Sequence, residues 1–162
     1  LRLEQVVAVC PVIDPEHTLV QLERGWALYR QYFVWKWRRS LRRKQAAWPQ
    51  LYDLSEALEL DNLTDMTDHL VCKYGGYPSL GEYLHGYAIV DDALASLVHP
   101  TRIISAADDP IIPAADLERL ARPPALSITC TALGGHCGFH DGRGELTWIE
   151  REVLATLSRP QQ

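Results

Sequence analysis

The sequence predicts an α/β fold: three parallel strands flanked by helices, with a helical segment inserted after the first strand. Three observations carry this reading. The short apolar run at 6–12, rich in β-branched residues, suits a strand buried on both faces of a parallel sheet, and further strand-like runs occur at 101–106 and 126–131. The last two runs are each followed by a short connection and a helix-forming segment, so a βα unit occurs twice in succession. The long stretch between the first and second runs has its apolar residues at helical spacing and is far longer than a crossover helix needs.

The elements follow in chain order. Val6 to Val12 is the first strand, closed by the turn-forming pair Asp14-Pro15. From Thr18 to Ala47, Leu19, Leu22, Trp26, Tyr29, Phe33 and Trp37 recur at helical spacing. This predicts one long helix or two broken ones, with Gly25 weakening the first turns by roughly 1 kcal/mol relative to Ala and Pro49 ending the segment. Leu54 to Leu60 reads as a short helix capped by Ser55, and Asp61 to Val71 as another. Gly and Pro make a loop of Tyr74 to Ser79. Ser79 then caps a helix over Gly81 to Tyr87, with Glu82 as its capping-box partner. Asp91 to Leu97 is a further short helix. The strand Thr101 to Ala106 leads to a helix over Pro113 to Ala121, whose proline suits the first turn and whose Asp116 and Glu118 suit the N-terminal dipole. Leu126 to Thr131 is the third strand, and Leu146 to Leu157 an amphipathic helix with Trp148, Ile149, Val153 and Leu157 apolar.

Composition narrows the function classes. A chain of 162 residues, 47% hydrophobic and 23% charged, builds a core and is not disordered. The net charge of −5 names no partner. No apolar run approaches the ~20 residues of a membrane-spanning helix. The start, Leu1-Arg2-Leu3-Glu4-Gln5, is no signal peptide, because the apolar stretch after it is short and opens a strand. It lacks an initiator Met, which points to a processed product or a proteolytic fragment. The four cysteines, Cys10, Cys72, Cys130 and Cys137, contain no Cys-x-x-Cys pair. Free thiols in a reducing compartment, the cytoplasm, fit them better than a disulfide framework.

Chemistry concentrates in two segments. Ser105-Ala106-Ala107-Asp108-Asp109-Pro110 runs from a strand into an acidic turn, and Gly134-Gly135-His136-Cys137-Gly138-Phe139 sets a histidine in a glycine-flanked loop after the next strand. Ligands of doubly wound sheets bind beyond the carboxyl ends of the strands. A carboxylate there can hold an imidazole in one tautomer, and the imidazole can act as general base and then acid. Asp108 and Asp109 are both candidates for the carboxylate, and His136 is the candidate base. Taken singly, each has a plainer reading, the aspartates as turn caps and the histidine as a structural residue. Their order and separation raise them together.

Their usual partner, a serine in a Gly-x-Ser-x-Gly elbow, is absent from the 162 residues. Ser79, in Gly76-Tyr77-Pro78-Ser79-Leu80-Gly81, lacks a preceding strand and has Pro beside it, so helix capping explains it. Cys137 as a thiol nucleophile fails because neighbouring side chains on a loop point apart. Cys130, His136 and Cys137 lack the fourth ligand and paired spacing of a zinc site, so no metal and no cofactor is expected.

The run Lys36-Trp37-Arg38-Arg39-Ser40-Leu41-Arg42-Arg43-Lys44, with Trp26, Trp35 and Trp48 nearby, has two readings. It is a solvated helix face whose tryptophans pack inward, or a surface for anionic lipid headgroups. Nucleic acid is not expected, because the chain is acidic overall and carries no DNA-binding motif.

Asp-Asp-Pro-Ile-Ile-Pro followed by Gly-Gly-His-Cys-Gly-Phe resembles the C-terminal half of the α/β-hydrolase superfamily, and within it the YheT-like branch. Leu58-Glu59-Leu60-Asp61, the Gly76-Tyr77 turn, Glu82-Tyr83-Leu84 and the basic helix look like that branch's lid, and Val9-Cys10-Pro11 with Asp14 like its sixth strand. The resemblance spans almost the whole chain. It implies the C-terminal part of a hydrolase fold: residues 1–17 a core strand, 18–99 a helical lid, and 100–162 the core that carries the acid and base. It selects Asp109 as the triad acid, four residues before Pro113, and leaves Asp108 to cap the turn. It implies a serine hydrolase of carboxylic esters, esterase- or lipase-like, whose nucleophile lies in an N-terminal half missing from this sequence. This chain alone would then be inactive. The expected partners are a small-molecule ester or lipid substrate, and either that N-terminal half or a second copy pairing along Val6–Val12. The alternative is a catalytically inactive fragment or interaction module whose basic, Trp-rich helix binds an anionic membrane surface.

Overall fold

Three strands, β1 (Val6–Val9), β2 (Thr101–Ala106) and β3 (Leu126–Thr131), form one parallel sheet in the order β1-β2-β3. In this computed structural model residues 3–142 and 144–158 are described. Leu1, Arg2, Arg143 and residues 159–162 lie outside them, and with them the outermost ends of the predicted segments 1–17 and 100–162. Contacts divide the chain into two units, Leu1–Asp14 with Ala88–Gln162, and Pro15–Tyr87.

The first unit holds the sheet. Val6 pairs with Thr101 and Val9 with Ile104, while Thr101 pairs with Leu126 and Ala106 with Thr131. β2 is therefore central, and its Ile103, Ile104, Ser105 and Ala106 are all buried. Ile13, Val90, Ile103, Leu117 and Leu120 form the core below it. The helix α6 (Trp148–Leu157) is stopped from fraying by a full capping box, in which Thr147 accepts from the Glu150 N–H and Glu150 reaches back to Thr147. Arg102 on β2 ties this helix to the sheet through Glu152 at 2.8 Å and Thr156 Oγ1 at 2.9 Å.

Several sequence expectations change here. The first strand ends at Val9 rather than Val12, because Cys10 turns into the left-handed region (φ +44°) and Pro11 has no N–H to give a ladder. Asp91–Leu97 is not a helix. It forms a parallel bridge between Asp91 and Leu120 followed by turns, with the Ala93, Ala95 and Leu97 N–H groups each reaching back three residues. The segment after Pro113 is a 3₁₀ helix, Ala114–Arg119, rather than an α-helix over Pro113–Ala121. Its Arg119 pairs with Asp14, beyond the end of β1.

The second unit is helical: α1 (Pro15–Arg24), α2 (Ala27–Ala47), α3 (Ser55–Glu59), α4 (Leu63–Tyr74) and α5 (Leu80–His85). The predicted 18–47 helix breaks in two beside Gly25. Its core is Val34, Leu63 and Met66, against which Leu19, Leu22, Phe33, Leu41 and Leu60 pack. The first turn of α4 is satisfied twice. Asn62 accepts from the Asp65 N–H at 2.7 Å, and Glu23 of α1 accepts from the Leu63 and Thr64 N–H groups at 2.6 and 3.1 Å. Ser55 is not a cap. It donates to Asp53 Oδ1 from its N–H and its hydroxyl at 3.2 and 2.8 Å.

The basic stretch lies on α2, where Val34 is the buried residue. The tryptophans do not pack inward: Trp26 is 85% and Trp35 50% exposed. Cations lie against the rings instead, Lys36 Nζ 5.4 Å from the Tyr32 centroid and the Arg39 guanidinium 5.6 Å from that of Trp35.

Candidate active site

The site is assembled from loops at the carboxyl ends of all three strands. After β2 the chain turns, and the Asp109 N–H bonds back to the Ala106 carbonyl at 3.3 Å. This turn buries the Asp109 side chain, which is 1% exposed. Its Oδ1 accepts from the Ile111 and Ile112 N–H groups at 2.8 and 3.0 Å. Its Oδ2 lies 3.0 Å from His136 Nδ1. Burial pushes the Asp109 carboxyl upward, but the Ile112 and Ile111 N–H groups and then His136 outweigh it and leave its pKa below the ordinary value of 3.8. An ionised carboxylate only accepts, so the hydrogen sits on Nδ1 and Nε2 is left as the basic nitrogen. The ring stays 35% exposed, open to a reacting group.

The loop that carries His136 is held by its neighbours. The Phe139 N–H bonds to the Gly134 carbonyl at 2.9 Å. The Phe139 ring is buried and packs against Trp148, centroids 5.6 Å apart. A Cβ on Gly134 would sit 2.5 Å from two atoms of that ring and 2.9 Å from the Ala106 Cβ, so only glycine fits. Gly135 has φ +56° and donates its N–H to Asp108 Oδ1 at 2.8 Å. The two adjacent aspartates thus do different work: Asp109 faces the imidazole, and exposed Asp108 pins the loop that carries it.

Sequence reasoning missed Cys10. The turn at the end of β1 brings its thiol beside the His136 loop, with Sγ 3.9 Å from the Gly135 carbonyl. Burial, above all, pushes this thiol up from 9.0 to about 12. Cys137 in turn lies 3.9 Å from the Val9 carbonyl. One ligand atom each from Cys10, His136 and Cys137 lies within 4.8 Å of the other two, the group of potential metal ligands among the described residues. Cys130, grouped with the other two on sequence alone, instead points to its neighbour's carbonyl on the surface of β3. No sequence signal marked it, since the first strand was expected to run through Cys10 to Val12. Ser79 lies at the start of α5, where its hydroxyl accepts from the Glu82 N–H at 3.2 Å. Among the described residues, no helix is long and apolar enough to cross a membrane.

Comparison with known proteins gives two weak similarities. Over 113 residues the chain is 30% identical to monoacylglycerol lipase ABHD2 of Bos taurus, covering 63% of this chain and 26% of that protein. Over 125 residues it is 25% identical to phospholipase ABHD3 of Mus musculus, covering 75% of this chain and 30% of that protein. The aligned stretch thus spans under a third of each relative's length. No family model and no solved structure matches the chain. The two similarities support the α/β-hydrolase superfamily at large and say nothing for the YheT-like branch.

Proposed function

We propose that this chain supplies the acid and base of a serine hydrolase acting on carboxylic esters. Asp109 orients His136, and His136 Nε2 takes the proton of a serine that lies outside these 162 residues and later returns it to the leaving alcohol. The observation that carries the reading is the buried, doubly anchored Asp109 carboxylate set 3.0 Å from an otherwise accessible imidazole. The short share of each relative that aligns agrees with a nucleophile elsewhere in a longer protein. The Gly-Gly-His-Cys-Gly-Phe ending supports the YheT-like branch, and residues 18–99 take the part of a lid. The outer edge of β1 would pair with the N-terminal half of the same protein or with a second copy. Free cysteines agree with a cytoplasmic setting. Fluorophosphonate labelling tests the assignment. The longest native product should label and its His136→Ala form should not, while this chain alone stays unlabelled. Equal labelling of the native product with and without His136 would refute it.

A second reading has its own observation, the exposed aromatic and basic side of α2. Trp26, Tyr32 and Trp35 are at least half exposed, and Lys36 and Arg39 lie against the rings. In this reading the chain is an inactive interaction module that binds anionic lipid. Binding to phosphatidylserine vesicles that falls with added salt supports it, and equal binding to neutral vesicles contradicts it.

A further inference from the structure

We propose that Cys10, His136 and Cys137 form a binding site for one thiophilic divalent cation of the zinc class. In a tetrahedral zinc site, bonds of about 2.0–2.3 Å place the ligand atoms roughly 3.5–3.8 Å from one another. Here the three ligand atoms already lie within 4.8 Å of one another. Binding would draw them together by up to about 1 Å.

The ligands come from two separated segments, the end of β1 and the loop after β3, so no sequence motif announces them. Each thiol leans over the other segment's backbone, Cys10 Sγ toward the Gly135 carbonyl and Cys137 Sγ toward the Val9 carbonyl, both at 3.9 Å. Both cysteines also hold positive φ, +44° and +64°, a region that residues other than glycine seldom occupy. Strained backbone of this kind gathers at functional sites.

The surroundings fit a metal. A ligating histidine usually gives its other ring N–H to a carboxylate, which fixes its orientation. Asp109 takes this place at Nδ1, at 3.0 Å, so a cation bound with that hydrogen bond kept would take Nε2. Cys137 is exposed and the imidazole 35% exposed, which provides a path of entry. Binding would release the two thiol protons to solvent; the thiolates so formed would neutralise a dication, and their softness favours zinc over magnesium or calcium. Three protein ligands leave a fourth position for water. The cation would occupy the same nitrogen that the hydrolase reading needs as a base, so metal binding and base action exclude each other. That inhibitory consequence rests on the hydrolase reading, whereas the binding itself does not.

The test is a titration of the reduced, metal-free chain with cobalt(II), following thiolate-to-cobalt absorption, then displacement by zinc. The wild-type chain should take up one equivalent. Cys137→Ser and His136→Ala should each weaken binding by about tenfold or more, while Cys72→Ser and Cys130→Ser should bind as the wild type does. Cys10→Ser alters a buried residue, so its loss of binding counts only if its melting temperature is unchanged; Cys137→Ser, at an exposed position, carries the test otherwise. No thiolate–cobalt signal from the wild-type chain would overturn the proposal. So would a signal removed as fully by Cys130→Ser or Cys72→Ser as by Cys137→Ser. None of these readouts uses ester hydrolysis, so failure of the hydrolase reading leaves them untouched.

Discussion

Replacing Gly134 by alanine should damage both the fold and the site. The added Cβ meets Cδ1 and Cε1 of Phe139 at 2.5 Å and the Ala106 Cβ at 2.9 Å. Carbon atoms prefer about 3.5–4.0 Å, so the shortfall is about 1.0–1.5 Å toward the ring and about 0.6–1.1 Å toward Ala106. Neither neighbour has room to retreat. Phe139 is 4% exposed and backed by Trp148, and Ala106 belongs to the central strand. Overpacking of this kind costs about 1–3 kcal/mol. For a chain of this length each kcal/mol lowers the melting temperature by about 2–4 °C, so Gly134→Ala should melt roughly 2–12 °C lower. Circular dichroism on the two chains measures this, and a double-mutant cycle with Phe139→Leu locates it. Removing the ring first should cut the cost of Gly134→Ala by about 1 kcal/mol, because the clash partner is gone. If Gly134→Ala melts with the wild type, or costs the same in both backgrounds, the packing argument for the His136 loop fails.

Further outcomes follow from the same geometry. Asp109 has its folded pKa depressed, so its contribution to stability is complete above the ordinary value of 3.8 and is lost as pH falls through the lower folded value; the stability gap between wild type and Asp109→Asn should narrow over that acid range, and a gap that widens on acidification contradicts the assignment. Among the described residues β1 is an edge strand, a position that proteins tend to cover. Light scattering should therefore find more than an 18.3 kDa monomer at micromolar concentration, and a stable monomer with fast-exchanging Val6–Val9 amides would show that the edge stands uncovered. The isolated chain should hydrolyse p-nitrophenyl esters no faster than its His136→Ala form, since no nucleophile elbow occurs in it; a His136-dependent rate would reopen Ser79.

What was legible in the sequence is what local chemistry dictates. β2 and β3 are short runs rich in β-branched residues between turn formers, and their bounds match those read from the residues. Ser79 caps its helix because a hydroxyl followed three residues on by Glu82 satisfies an orphan N–H wherever the helix lies. What depended on distant parts of the chain was not legible. Asp91–Leu97 reads locally as a helix, but Asp91 takes a left-handed backbone (φ +57°) and bridges to Leu120 instead. Ser55 looked like a cap, but Asp53 takes its N–H. At the site, the two aspartates are equivalent by sequence spacing, and only the superfamily resemblance favoured Asp109. The backbone separates them by giving Asp109 the two N–H groups after Pro110, while Gly135 takes Asp108. Cys10 joins His136 only through the pairing of β1 with β2, which no local pattern near Cys10 reveals.

The most direct test of the account is the NMR spectrum of the His136 imidazole in nitrogen-15-labelled protein, compared across the wild type, Asp109→Asn and Asp108→Asn. The account predicts a hydrogen-bonded Nδ1 proton in the wild type. That proton signal should vanish in Asp109→Asn and persist in Asp108→Asn, where the loop loses only its Gly135 anchor. A signal that survives Asp109→Asn, or that is lost in Asp108→Asn alone, would contradict the assignment of Asp109 as the residue that orients the base.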